Sequence, residues 1–182
     1  AACRGLHSVL DVVLAMRAEH GFDADAVATV EIDCSHANML TLGDNDPRTR
    51  LAAQMSLPFG IAVALVAGRA GLEEFEDASI GDATVRDVMS RVTMRDDPGH
   101  GDDSQPDVTL VLRDGRRFEG HEPIGLGDYR NPLSTGQVVD KYRGLARRAL
   151  ADADVAALEN AVFALPAPQS LGQLLAALGR PG

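Results

Sequence analysis

The sequence contains no tryptophan, and aromatic residues make up only 4% of it. Its core must therefore be assembled from Ala, Val, Leu and Met rather than around large rings. Lysine is almost missing too: Lys141 is the only one among 17 basic residues. A high Arg and Ala content is also what codon bias produces, so it carries little weight. Cysteine is limited to Cys3 and Cys34, which excludes a disulfide framework and makes a reducing compartment the default. No run approaches the roughly 18 apolar residues of a membrane helix, and no secretory signal is visible. Positive charge is outweighed, the net charge being −10 and the isoelectric point about 4.8. That balance argues against nucleic acid or an anionic membrane as the main partner, and leaves room for a local basic pocket holding an anionic substrate.

What remains is ordinary for a globular chain. With 182 residues and 45% apolar content, one compact domain with a real core is expected over residues 1–182. The chain does not begin with Met, and its first residues read like the middle of a motif. The expectation is one domain of a longer polypeptide.

The opening stretch carries the densest chemistry. Cys3, Arg4 and His7 place a thiol, a guanidinium and an imidazole within five residues, just before the apolar run Val9 to Met16. If the helix extends back to Cys3, then Cys3, His7 and Asp11 fall on one face at successive i, i+4 positions. Asp11 would then orient the His7 ring for acid–base work. The alternative is an ordinary helix start with a half-buried histidine and an inert cysteine.

Further along, the pattern predicts a helix over Leu6–Glu19 stopped by His20-Gly21, and a half-buried strand over Val27–Cys34 with Val30, Ile32 and Cys34 facing inward. His36–Thr49 reads as loop. In the apolar stretch from Arg48 to Ala67, Pro58 should break the run near Ser56 and open a helix that Gly68 ends. Two short helices are expected over Leu72–Phe75 and Asp82–Val92, then a strand over Val92–Asp96 and a mobile acidic loop to Pro106. Asp107–Leu112 and Arg116–His121 form a hairpin around Asp114-Gly115. A Gly/Pro loop spans Gly125–Leu133, and helices capped by Ser134, Asp152 and Ser170 end the chain. The predicted class is α+β, with a small, mostly antiparallel sheet packed with helices.

Four of these motifs in order resemble the C-terminal domain of the MmgE/PrpD family. They are Cys3-Arg4-Gly5-x-His7 before an apolar helix, Ser56-Leu57-Pro58-Phe59 leading into the Ala-rich helix, the Asp114-Gly115-Arg116 hairpin, and Asn131-Pro132-Leu133-Ser134 followed by Lys141-Tyr142-Arg143. The family includes 2-methylcitrate dehydratase, cis-aconitate decarboxylase and iminodisuccinate epimerase. The resemblance implies the smaller α+β lid domain of a two-domain, cofactor-free, commonly dimeric and cytoplasmic lyase. Its partner would be a larger all-helical N-terminal domain of the same protein, with the active site between the two.

It further implies that Cys3 and His7 fill the last two positions of a catalytic segment whose lysine would lie just before residue 1. Ser56 and Phe59 would lie near substrate, Phe59 standing where the family often has tyrosine. In such a reaction His7 is the candidate acid or base, Arg4 the candidate partner of a substrate carboxylate, and Cys3 a wall of the site. The expected substrate is a small di- or tricarboxylate, with a 2-methylcitrate dehydratase-like elimination first and decarboxylation or epimerisation as alternatives.

Two readings of other kinds compete. Cys3-x-x-x-His7 and Cys34-x-His36 supply enough ligands for a structural zinc, although the spacings are not those of common zinc modules. A non-catalytic α+β binding or assembly domain is the other. His20, His100 and His121 read as helix-end, loop and strand-surface residues. The acidic loop from Asp96 to Asp103 lacks the ligand spacing of a calcium site.

Overall fold

The structure, a computed structural model, describes residues 1–165 and 170–178. They fall into two units, Ala1–Asn131 and Pro132–Gly182.

The first unit opens with a 3-10 turn at Arg4–Leu6 and runs directly into helix α1, His7–His20. Gly21, in the left-handed region at φ 61°, ends α1 with its N–H on the Arg17 carbonyl. Strand β1, Val27–Cys34, follows with Val30, Ile32 and Cys34 fully buried. The first part of the stretch expected to be loop, His36–Leu42, instead forms helix α2, because the Ser35 hydroxyl accepts the Asn38 N–H and starts it, while residues 43–49 are loop as expected.

Helix α3, Arg50–Gln54, and helix α4, Leu57–Ala67, are separated by Met55 and Ser56. Pro58 sits in the first turn of α4, where its missing N–H costs nothing. Every residue from Leu57 to Leu65 is buried, as befits a helix that is apolar all round. Gly60 sits where α4 meets Leu6 and Leu10, since a Cβ there would come within 2.9 Å of the Leu6 side chain. After Gly68 come a 3-10 turn at Glu73–Phe75, a single turn α5 at Asp77–Ile80, and α6 at Ala83–Met89, capped by Asp82.

Strands β2, Val92–Asp96, β3, Asp107–Leu112, and β4, Arg117–His121, complete an open sheet of order β2-β1-β3-β4. Only β1 and β2 are parallel; β1 with β3 and β3 with β4 are antiparallel. The α+β class with a mostly antiparallel sheet is therefore what the chain adopts. Val30, Ile32, Val108, Leu110 and Leu112 are buried in one core with Val9 and Val13 of α1 and Ile61 and Leu65 of α4. The alternate positions Glu31 and Asp33 of β1 carry carboxylates that take the Arg95 guanidinium of β2, Asp33 at 2.8 Å and Glu31 at 3.1 Å.

The second unit holds α7, Thr135–Ala146, α8, Asp152–Phe163, and α9, Ser170–Leu178. Ser134 and Gln137 close a reciprocal capping box on α7. Ala151, not Asp152, holds the cap position of α8 and makes no side-chain cap bond, so Asp152 contributes a first-turn carboxylate instead. The side chain of Ser170 lies outside the described residues. Within this unit Tyr142 donates its hydroxyl to the Val155 carbonyl at 2.9 Å, and Arg143 grips Glu159 with two bonds of 2.8 Å. No helix among the described residues is long and apolar enough to cross a membrane.

Candidate functional site

Residues remote in sequence line one cleft of about 330 Å³ in the first unit. The 3-10 turn before α1 contributes Arg4 and the first turn of α1 His7 and Ser8; the end of the acidic loop contributes Gln105; and a loop after β4 contributes Pro123 through Arg130.

Each wall is fixed by identifiable bonds. The Ser8 hydroxyl donates to Gln105 Oε1 and brings the acidic loop onto α1. Asp11, one turn further on, accepts the Leu126 N–H at 2.6 Å and holds the 123–131 loop there. Gly125 lies so close to α1 that a Cβ would stand 3.1 Å from the Ser8 nitrogen and 3.2 Å from the His7 Cβ. Asn131 closes the loop by donating its side-chain amide to the Ile124 carbonyl at 2.8 Å and accepting the Gly127 N–H at 2.8 Å.

The charged centre of the cleft is Asp128. Its side chain is only 5% exposed. It accepts the Arg130 N–H and the Arg130 Nε, each at 3.0 Å, and a guanidinium nitrogen of Arg4. These hydrogen bonds from Arg130, then the charges of Arg130 and Arg4, hold the Asp128 carboxyl down at about 2. The two arginines remain largely in solvent, 78% and 50% exposed. Among the described residues, Asp128 is the only acid lining the cleft and Arg4 and Arg130 the only guanidinium groups, so this lining carries excess positive charge in a chain of net charge −10.

His7 Nε2 lies 3.3 Å from the Ala2 carbonyl oxygen. A carbonyl only accepts, so that nitrogen holds the hydrogen and Nδ1 is the basic nitrogen of the neutral ring. The stripe Cys3–His7–Asp11 does not form. Cys3 precedes the helix in an extended conformation and donates its N–H to the Gln54 carbonyl at 2.9 Å. Asp11 is engaged with Leu126 rather than with the His7 ring.

Of the five candidates named from the sequence, the structure brings Arg4 and His7 together in the cleft. Cys3 is half-buried against the core. Ser56 and Phe59 are fully buried. The Ser56 hydroxyl caps α4 by accepting the Phe59 N–H at 3.1 Å and donates to the Asp44 carbonyl. The Phe59 ring packs on Phe75 at 5.7 Å between centroids. Both therefore serve the core here, and neither lines the cleft.

Asp128, Arg130 and Gln105 were not singled out from the sequence. The one available clue was the string Gly125-x-Gly127-Asp128-x-x-Asn131, whose Asp accepts its own backbone two residues on, as an Asx turn does.

The four residues of the zinc alternative do not form a ligand set. Cys34 Sγ lies 3.7 Å from the Arg95 carbonyl, and His36 Nδ1 lies 2.7 Å from Asp96. Among the described residues no group of three or more His, Cys, Asp or Glu side chains is placed to hold a metal ion. The remaining histidines are all engaged. His20 stacks on Phe118, and His100 and His121 share the Asp107 carboxylate at 3.2 and 2.7 Å.

A family model described as the MmgE/PrpD C-terminal domain matches residues 1–165. No curated protein matches the chain.

Proposed function

The chain belongs to the MmgE/PrpD family as its C-terminal domain, and from that premise we propose that it forms the lid half of a lyase acting on a small polycarboxylate, with a 2-methylcitrate dehydratase-like elimination as its reaction. One observation carries this reading: His7 and Arg4 meet in a single cleft whose lining is positive in an otherwise acidic chain.

The chemistry follows from those groups. Dehydration of a β-hydroxy acid breaks a C–H bond next to a carboxylate and a C–O bond beside it, forms a double bond and releases water. It needs a base for the proton, an acid for the departing hydroxide, and cations for the carboxylates. His7, with Nδ1 as its basic nitrogen, supplies proton transfer. Arg4, exposed at the rim of the cleft, offers N–H donors beyond the one given to Asp128. The second acid–base group, and the lysine that the family pattern places before Ala1, would come from the rest of the polypeptide, together with an all-helical partner domain. In this reading the isolated chain is inactive and the working enzyme is a homodimer.

The test is a substrate screen of the full-length protein against 2-methylcitrate, citrate, cis-aconitate and iminodisuccinate. Loss of water from 2-methylcitrate supports the reading. Turnover confined to cis-aconitate or iminodisuccinate moves the chain to decarboxylation or epimerisation. No turnover of any of them leaves a binding or assembly domain.

A further inference from the structure

We infer that Arg130 is a second carboxylate-binding residue of the cleft and that Asp128 is the positioning residue that sets both guanidinium groups. The inference rests on the polycarboxylate reading above, and concerns residues that no motif of that reading includes.

Both arginines converge on one oxygen. Asp128 Oδ2 accepts from Arg4 Nη2 and lies 3.4 Å from Arg130 Nη2, while Asp128 Oδ1 takes the Arg130 Nε at 3.0 Å. Two cations would not share so small a space unless a carboxylate lay between them. Asp128 can do this because it is itself fixed: its side chain is 5% exposed, its oxygen holds the Arg130 backbone, and its own N–H donates to the Gly125 carbonyl at 3.2 Å. The loop bearing it is in turn tied to α1 through Asp11.

One carboxylate cannot use all the donors of two guanidinium forks, each of which carries five N–H groups. The surplus donors belong to two half-exposed or exposed side chains on the cleft wall. Arg130 also lies 5.3 Å from the ring centre of Tyr129, which limits where its fork can swing. The arrangement is a paired-guanidinium receptor, suited to a ligand bearing more than one carboxylate.

The experiment measures binding of tricarballylate, which has three carboxylates and no hydroxyl to eliminate, and of acetate, to the full-length protein by titration calorimetry. Arg130→Gln should weaken tricarballylate binding by about 10- to 100-fold, Arg130→Lys should fall between it and the wild type, and acetate should discriminate little. Asp128→Asn separates positioning from bulk charge. It makes the cleft more positive, so a bystander aspartate predicts tighter tricarballylate binding, whereas a positioning role predicts weaker binding.

Arg130→Gln within about 2-fold of wild type, or tighter binding in Asp128→Asn, overturns the inference; these bounds are order-of-magnitude readings of one charge-assisted bond. The two proposals fail separately. Turnover that survives Arg130→Gln unchanged leaves the lyase standing without this receptor. Tricarballylate binding lost on Arg130→Gln in a protein that turns nothing over leaves the receptor without the lyase.

Discussion

The Asp11 carboxylate accepts the backbone N–H of Leu126 at 2.6 Å, and this bond ties the helix that presents His7 to the loop that presents Asp128 and Arg130. A hydrogen bond to a charged acceptor contributes about 1.5–3 kcal/mol. Asp11→Ala should therefore cost on the order of 1–3 kcal/mol of stability and speed amide exchange across residues 123–131, as read by hydrogen-exchange mass spectrometry. Exchange in that loop at the wild-type rate would show that Asp11 does not hold it.

Asp128 gives the loop a dependence on pH. Its carboxyl sits at about 2 against an ordinary 3.8. A carboxyl depressed by folding contributes stability that is complete above its unfolded value and is lost as pH falls through its folded one. The loop should hold down to about pH 4 and loosen toward about pH 2, with Asp128→Asn showing a flatter response over the same interval. Hydrogen exchange of the loop against pH reads this directly; an identical response in the variant would remove Asp128 as the cause.

The two cysteines should behave differently toward alkylation. Burial, then the nearby Asp96 and Asp33 carboxylates, push the Cys34 thiol up from its usual range, and its side chain is fully buried. Only the thiolate reacts. Iodoacetamide at mildly alkaline pH should label the half-buried Cys3 and leave Cys34 unmodified until the protein is unfolded, as mapped by peptide mass spectrometry. Rapid labelling of Cys34 in folded protein would contradict its placement.

Phe59 offers a test of core against pocket. Its ring is fully buried on Phe75, so Phe59→Ala should lower stability by roughly 3–5 kcal/mol in thermal or denaturant unfolding. A stable variant with altered substrate preference would return Phe59 to the substrate pocket.

The fold was largely legible because its signals are local. β1 alternates from Thr29 to Cys34, Asp114-Gly115 marks the β3–β4 hairpin, and Pro58 and Gly68 punctuate α4. Helix α2 was hidden because it is only seven residues long and is followed by the Gly43-Asp44-Asn45-Asp46-Pro47 breaker, and its start depends on the Ser35 cap. The cleft was half legible. Arg4 and His7 stand together in the sequence, but Gln105 and Arg130 reach them only through the chain path that leaves β3 and β4 beside α1. The possible His7–Asp11 pair failed for a reason spacing does not contain, which is that a backbone N–H from residue 126 takes the carboxylate. Ser56 and Phe59 fit a motif whose residues, in this chain, cap and fill the core.

The most direct test of the account is the turnover of His7→Ala in the full-length protein, measured on the best substrate of the screen and with folding checked by circular dichroism. With the fold retained, kcat should fall by about 10²- to 10⁴-fold, the usual contribution of a positioned acid–base group. Near-normal turnover by a folded His7→Ala protein would contradict it.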